Sequence, residues 1–313
     1  MILIQYEQLK KNERIFKGFT GITVKEFEEL ESKAEPYWIE QEQERLSRSD
    51  RQRAEGGGRQ KTLAFREQLL MTVIWLRLYL IQEALGYLFG VDKSSVSRYV
   101  NSVLPALRKV GEDTLGWSTP PRRGQGRSFE KVWSENPDLY AYVDATEQRI
   151  RRSSKQEQQK KDYSGKKKAH TRKTQLVVNE HGEVRDVSHS TEGSMHDRKH
   201  FTHSGVADKI PKKTVVGGDS GYQGIQNDLP DHSVITPFKK SKNHPLTDEE
   251  KALNQEFSRG RIIVENTICQ FKHFGALSQQ LRHKTDIYDN VFRAVLAVVN
   301  PRIQKRVLAA STT

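Results

Sequence analysis

Three carboxylates stand where oxygen ligands would be useful: Asp144 in Tyr-Val-Asp-Ala-Thr-Glu, Asp219 in Gly-Gly-Asp-Ser-Gly-Tyr, and Glu265 in Arg-Ile-Ile-Val-Glu-Asn. The first two each close a short apolar run, and the third sits on a helix-like stretch. A hard divalent cation takes oxygen ligands, and a phosphodiester substrate needs positive charge around it. Cutting that bond requires an activated water and stabilisation of the departing 3′ oxygen. Two magnesium ions held roughly 3.5–4 Å apart supply both, one on each side of the phosphorus. Asp144, Asp219 and Glu265 are therefore the candidate catalytic and metal-ligating residues, for Mg2+ with Mn2+ as its substitute. A lone aspartate at a strand end is ordinarily a turn or cap residue, so the joint pattern carries this reading.

The elements that must position them can be read from periodicity. Residues Leu139 to Val143 form a strand candidate leading into Asp144, and Thr174 to Asn179 and Glu183 to Ser188 flank a His181-Gly182 turn. After a helical stretch, HDRKHFTHSGVADKI, a fourth strand from Thr214 to Gly218 leads into Asp219. Strand, two hairpin partners, helix, strand is the order of an α/β, ribonuclease-H-like domain, a mixed sheet flanked by helices. In that fold the first and fourth strands lie side by side, which brings Asp144 to Asp219 across 75 residues. Arg261, Glu265, Ile268 and Lys272 lie at i, i+4, i+7 and i+11, one stripe of a helix. Arg261 and Lys272 would hold phosphates on either side of a cut. The plain alternative is a surface helix with an Arg–Glu pair of a few tenths of a kcal/mol.

Upstream lies a compact all-α block. REQLLMTVIWLRLYL and QEALGYLFGVDKSSVSRYVNSVL predict a helix-turn-helix, with Gly90 in the turn, Asp92 as N-cap, and Val91 and Val96 as a hydrophobic staple. Lys93, Ser94, Ser95, Ser97 and Arg98 would then face bases and phosphates; the alternative is an ordinary helical hairpin with solvated polar residues. The resulting division is an N-terminal helical region at 1–45 with Thr23 as a cap, a basic flexible linker at 46–61, and a helix-turn-helix domain at 62–115. A linker at 116–130, a catalytic domain at 131–305 and a tail at 306–313 follow. Residues 225–257 are expected to bridge the second and third carboxylates with a strand and a helix, or to bind flanking DNA.

Composition fits a nucleic-acid partner. The 313 residues carry a formal charge of +12, with 35% hydrophobic and 29% charged residues. Such a balance favours a polyanion, by itself DNA, RNA or an anionic membrane surface. No apolar run approaches the ~20 residues that span a bilayer, and the amino terminus turns polar too soon for a secretory signal. Cys269 is the only cysteine, which excludes intrachain disulfides and cysteine-rich zinc sites. These features predict a cytoplasmic protein. From Glu147 to Lys173 eleven Lys or Arg face only three Asp or Glu, two thirds of the whole excess. Within it, Lys166, Lys167, Lys168, His170 and Arg172 are candidate phosphate contacts.

The motifs DATEQ, YSGKKKAHTRKTQ, GSMHD, GDSGYQG and RGRIIVENTICQFK resemble, in that order, those of DDE transposases. The resemblance is to the bacterial branch named for insertion sequence five, related to the eukaryotic Harbinger elements, and covers about residues 60–300. It implies that Asp144, Asp219 and Glu265 are the metal triad, and that Arg261, Glu265 and Lys272 belong to a tyrosine-arginine-glutamate-lysine signature. The tyrosine position falls on Ser258, beside Phe257. The implied activity is binding of terminal inverted repeats, cleavage, and joining of 3′-OH ends to target DNA by two-metal chemistry. The implied partners are double-stranded DNA and a second copy of the chain in the synaptic complex, on the nucleoid of a prokaryote. Two rivals are a non-catalytic DNA-binding regulator and a structure-specific nuclease of the same fold.

Neighbouring residues carry further expectations. Asp197 is the rival second carboxylate, with N-capping preferred, and Glu147 should point away from the metals. His196 either touches DNA or packs. Tyr222 is a candidate for stacking on a base, with burial in its turn as the alternative, and Cys269 is expected in the core. Replacing Lys166, Lys167 and Lys168 together with alanine should flatten the salt dependence of DNA binding by up to about 0.9 in log–log slope per lost phosphate contact. An unchanged slope would remove this segment from the DNA interface.

Overall fold

The structure is a computed structural model that describes residues 3–48, 62–117, 140–240 and 245–311. The expected linkers at 46–61 and 116–130 lie almost wholly outside these residues. The chain forms two compact units.

The first unit is helical: α1 (Tyr6–Leu9), α2 (Glu13–Thr20), α3 (Val24–Ser47), α4 (Phe65–Leu78), α5 (Gln82–Phe89) and α6 (Lys93–Glu112). Thr23 caps α3 in a reciprocal box with Glu26, as its position predicts. The region before residue 46 contains one long helix rather than only short ones, and it shares its unit with the helix-turn-helix. The reason is packing: Trp38 lies against Phe65 (4.9 Å between centroids), and its indole N–H donates to Ser102 Oγ at 2.9 Å. Gly90 ends α5 at φ +66°, and Asp92 accepts Ser95 N–H to start α6. At Gly86 a Cβ would stand 2.5 Å from the Val91 carbonyl, so only glycine permits this crossing.

Among the described residues, the second unit holds a seven-stranded mixed sheet. In chain order it comprises β1 (Tyr140–Arg149), α7 (Gln156–Asp162), β2 (Tyr163–Ser164), β3 (Ala169–Asn179), β4 (Val184–Val187), β5 (Thr191–Glu192), α8 (Asp197–Ser204), β6 (Val215–Gly218), β7 (Ser233–Ile235) and α9 (Asp248–Lys272). The order β2-β3-β1-β6-β7 has β4 and β5 paired to β3. β3 runs antiparallel to β1 and β4, whereas β6 runs parallel to β1. Gly182, at φ +81°, makes the expected hairpin turn. This is the ribonuclease-H-like arrangement.

One strand differs from its reading. β1 continues five residues past Asp144, because β3 begins at Ala169 and pairs with that extension from Ala145↔Gln175 to Arg149↔Thr171. The stretch Ala169 to Lys173, read as part of a basic surface run, has the alternation of a strand. Its inward residues, Thr171 and Lys173, are polar but buried.

One face of the sheet packs Ala141, Val143, Val177 and Val216 against Phe201 of α8 and against Tyr222, Ile225 and Leu229. The other face carries Tyr142, over which α9 lies. A Cβ on Gly260 of α9 would sit 2.5 Å from the Tyr142 ring, and one on Gly217 would meet Phe257 at 2.9 Å. Two glycines therefore let the helix bearing Arg261 and Glu265 settle onto the sheet.

Beyond α9 come α10 (Gly275–Ser278) and α11 (Tyr288–Ser311). The sequence predicts a catalytic domain running to residue 305; by contacts, Phe271–Gln279 and His283–Val299 group with the helical unit. Phe271 stacks on Phe292 (5.0 Å), and bare Gly111 accommodates the Arg293 backbone. Among the described residues no helix is long and apolar enough to cross a membrane.

Gly260→Ala should destabilise the protein by about 1–3 kcal/mol through overpacking against a rigid ring. Chemical denaturation measures it, and pairing with Tyr142→Ala should recover part of the loss. A single variant as stable as wild type would refute the close approach.

Candidate active site

Val143 pairs with Gly218 across parallel β1 and β6, so Asp144 and Asp219 follow at equivalent positions on neighbouring strands. Strand spacing sets their backbones about 5 Å apart. Asp219 begins a single 3-10 turn, Ser220–Tyr222, and its Oδ1 accepts Gly221 N–H at 2.7 Å. Asp144 Oδ1 accepts the Ala145 N–H at 2.8 Å. Burial pushes the Asp144 carboxyl up to about 6, and the charge of Asp219 adds to the rise. The Ala145 hydrogen bond, Arg261 and Lys166 oppose it. A carboxylate withdrawn from water beside a second one gains from further positive charge. Their oxygen donors suit magnesium, and that is the fit this pair offers.

Glu265 is placed differently. It lies on α9 with its side chain 51% exposed and takes a 2.9 Å hydrogen bond from Arg261 Nη2. Among the described residues no group of three or more His, Cys, Asp or Glu is disposed to hold a metal ion. Arg261 thus reaches Glu265 directly and Asp144 through its field. Lys272, on the same helix, donates to the Leu277 carbonyl at 2.8 Å. At the signature's tyrosine position, Ser258 donates to the Asn254 carbonyl within its own helix, while Phe257 covers Gly217.

A buried cation behind the pair was not singled out from the sequence. Lys173, with its side chain 8% exposed, donates to Asp197 Oδ1 at 2.7 Å and to the Met195 carbonyl at 2.6 Å. Glu147 pairs with it across the strands, its Oε1 4.0 Å from Lys173 Nζ, and accepts from Thr171 Oγ1 at 2.6 Å. The available signal was the facing of an acidic and a basic residue in opposite hairpin strands, which register alone reveals. His196, an exposed residue, is the N-cap of α8, and Asp197 occupies its first turn, so the capping role expected for Asp197 gives way to an ion pair. Asp197 also borders the Asp219 turn: a Cβ on Gly221 would meet Asp197 Oδ2 and Asp219 Oδ1, each at 2.9 Å.

Several candidate DNA contacts change character. Tyr222 is 0% exposed and packs edge-on against Phe201, so its ring has no free face for a base. Burial, with the charges of Asp197, Asp144 and Asp219, holds its hydroxyl well above the usual range. Arg172 is also withdrawn, lying 4.0 Å from Asp162 and 3.9 Å from Glu192. Lys166, Lys167 and Lys168 are exposed in the turn between β2 and β3, with His170 half-buried beside them. On α6, Ser94 and Ser95 bind the Asp92 carboxylate, Arg98 reaches Ser95 Oγ at 2.9 Å, and Lys93 pairs with Glu83. These hydrogen bonds hold Asp92 well below the usual carboxylate range. Ser97 lines a cleft of about 1070 Å³ with Arg98 and Asn101. Cys269 is exposed rather than in the core, because the buried stripe of α9 runs through Val264, Thr267 and Phe271.

Lys173→Met should cost about 3–5 kcal/mol by leaving Glu147 and Asp197 without their buried cation. Adding Glu147→Gln and Asp197→Asn should restore much of that stability. Equal stability of wild type and Lys173→Met in thermal unfolding would dismiss the network.

A family model described as "DDE superfamily endonuclease" matches residues 143–300, and one described as "Helix-turn-helix of DDE superfamily endonuclease" matches residues 61–113. The chain is 32% identical over 242 residues to "Probable transposase for insertion sequence element IS702" of Microchaete diplosiphon, covering 76% of this chain and 80% of that protein. It is 29% identical over 104 residues to "Transposase for insertion sequence element IS1106" of Neisseria meningitidis serogroup B, covering 32% of this chain and 33% of that one. No solved structure matches. The chain belongs to the DDE superfamily of endonucleases and is a DDE transposase of the insertion-sequence type.

Proposed function

We propose that this transposase binds the terminal inverted repeats of its element, cuts at their boundaries, and joins the freed 3′-OH ends to target DNA. The observation that carries this is the in-register pair of neighbouring carboxylates, Asp144 and Asp219, of which Asp144 is partly withdrawn from water and feels the charge of Asp219, within a strongly basic chain. Asp144 and Asp219 would hold magnesium, with Glu265 as the third ligand. The bound ions would supply Lewis-acid activation of water and stabilisation of the leaving oxygen.

The chain's own residues orient the substrate. Arg261, partly exposed between Asp144 and Glu265 in its electrostatic reach, is suited to a phosphate oxygen at the cut. Lys166 acts on Asp144 from the exposed turn and would draw the backbone toward the pair. The amino-terminal part of α6, with Lys93, Ser94, Ser95, Ser97 and Arg98, is the proposed reader of the repeat, and Asp92 fixes its polar side chains. Hydrolysis breaks a P–O bond and leaves a 3′ hydroxyl; that hydroxyl then attacks a target phosphodiester, so joining exchanges bonds without an outside energy source. Handling two ends together calls for a dimer. The proposed setting is the nucleoid in a prokaryotic cytoplasm, supported by the bacterial origin of the relatives.

The test is cleavage and strand transfer on DNA carrying the gene's own flanking sequences, with wild type beside Asp219→Asn. Metal-dependent cutting at the repeat boundaries, reduced at least a thousandfold in the variant, is the expected result. Magnesium should also raise the melting temperature of wild type but not of Asp219→Asn, since a ligand stabilises only the state that binds it. Repeat binding without cutting, equal in both proteins, would identify a regulator; cutting of any duplex irrespective of the repeats would identify a structure-specific nuclease.

A further inference from the structure

At the far end of β1 the second unit has an open depression of about 550 Å³, lined by Arg152, Gln156, Gln159, Lys160, Tyr163 and His170. Its exposed wall is aromatic. Tyr163 and His170 are direct partners across the antiparallel β2–β3 pair, and their rings meet edge to face at 5.7 Å and 72°. Tyr163 is 43% exposed, unlike the buried tyrosines of the core. Its rim is cationic: Arg152 Nε donates to Gln159 Oε1 at 2.9 Å, and Gln159 Nε2 is fixed in turn on the Ser153 carbonyl at 2.7 Å. Lys160 stands one turn along α7 from Gln156, on the same side. An exposed aromatic ring and two cations lining one depression suit one chemical unit. That unit is a nucleobase with a phosphate on each side.

A base within a duplex presents its edge, and its faces are covered by the neighbouring pairs. To lie on Tyr163 it must leave the stack. We infer that this depression receives a single unpaired nucleotide of the bound DNA end, its base on Tyr163 and its flanking phosphates on Arg152 and Lys160. The inference rests on the reading of the chain as a repeat-binding transposase and adds a site to it. The backbone also bounds a distance. Ile150 N–H bonds the His170 carbonyl, and six residues of extended chain separate Ile150 from Asp144. At about 3.3 Å per residue that is at most about 20 Å, or up to some six nucleotides along a strand. The exposed Lys166–Lys168 turn belongs to the same β2–β3 hairpin and would carry intervening phosphates.

The test is binding of the full-length protein to its own end duplex, with one mismatch moved through the third to the ninth position from the cut. A mismatch at the receiving position removes the cost of unpairing, so wild type should bind it about five- to tenfold more tightly there than elsewhere. An abasic nucleotide at that position, which offers no face to stack, should lose the gain. Tyr163→Ala should abolish the preference, and Tyr163→Phe should keep it, which separates stacking from any effect on folding. Wild-type binding that is indifferent to mismatch position, or a preference that survives Tyr163→Ala, would overturn the nucleotide site while leaving the transposase reading intact. Failure of wild type to prefer its own ends over unrelated duplex would overturn both.

Discussion

The catalytic unit depends on one constraint: β1 and β6 must run parallel, in register, with nothing between them and the groups above and below. β6 meets this by ending in two glycines that face opposite sides. Gly217 admits Phe257 and Tyr142 on one face, and Gly218 admits Tyr222 on the other, where a Cβ would stand 2.8 Å from Tyr222 Cβ. Glycine weakens a strand by entropy and by the packing it forgoes. Here that cost is offset by aromatic rings that close directly over the backbone, from α9 on one side and from the turn after Asp219 on the other. The same short strand thus fixes Asp219, its turn and the seat of the third carboxylate's helix.

Charge is arranged in layers around that strand. Asp144 and Asp219 form the acidic centre, and the cations nearest them play unlike parts. Lys173 is buried and committed to Asp197 and Glu147, so it supports the scaffold on the α8 side. Arg261 is partly exposed and reaches the centre from α9. Lys166 to Lys168 lie in solvent. A buried charge pair adds little net stability yet is costly to break, whereas exposed charges act over a Debye length and suit attraction of a polyanion. The high net charge of the chain therefore hides a division between cations that hold the protein and cations available to DNA.

Much of this was legible in the residues. The strand order, the His181-Gly182 turn, the Asp92 and Thr23 caps and the adjacency of Asp144 and Asp219 follow from local chemistry and the alternation of apolar runs. What escaped depends on pairing between distant segments. Ala169 to Lys173 reads only as part of a basic run because its inward residues are Thr171 and Lys173, which become strand residues once Glu147 faces Lys173. Tyr222 lies in a glycine-bounded turn whose local chemistry leaves stacking and burial both open, and only its packing against Phe201 of α8 decides for burial. Arg172 sits in a basic run, and only the tertiary fold brings Asp162 and Glu192 to it. Glu265 was found by its spacing to Arg261, and the same spacing is what lets the two side chains pair. The allocation of Phe271–Gln279 and His283–Val299 was invisible because their apolar pattern says that they are buried but not against what.

That allocation has a consequence for how the molecule is made. The helical unit is closed by residues that leave the ribosome long after its beginning: Thr114 and Val299 are 185 positions apart. At about 5–20 residues per second this delay is roughly 10–40 s. During that interval Gly111 lacks the backbone of Arg293, and Phe292 has not joined Phe271. A nascent chain, or one stopped by premature termination, consequently exposes an unfinished helical core. The helical unit is thus completed only in a polypeptide that already carries Asp144, Asp219 and Glu265.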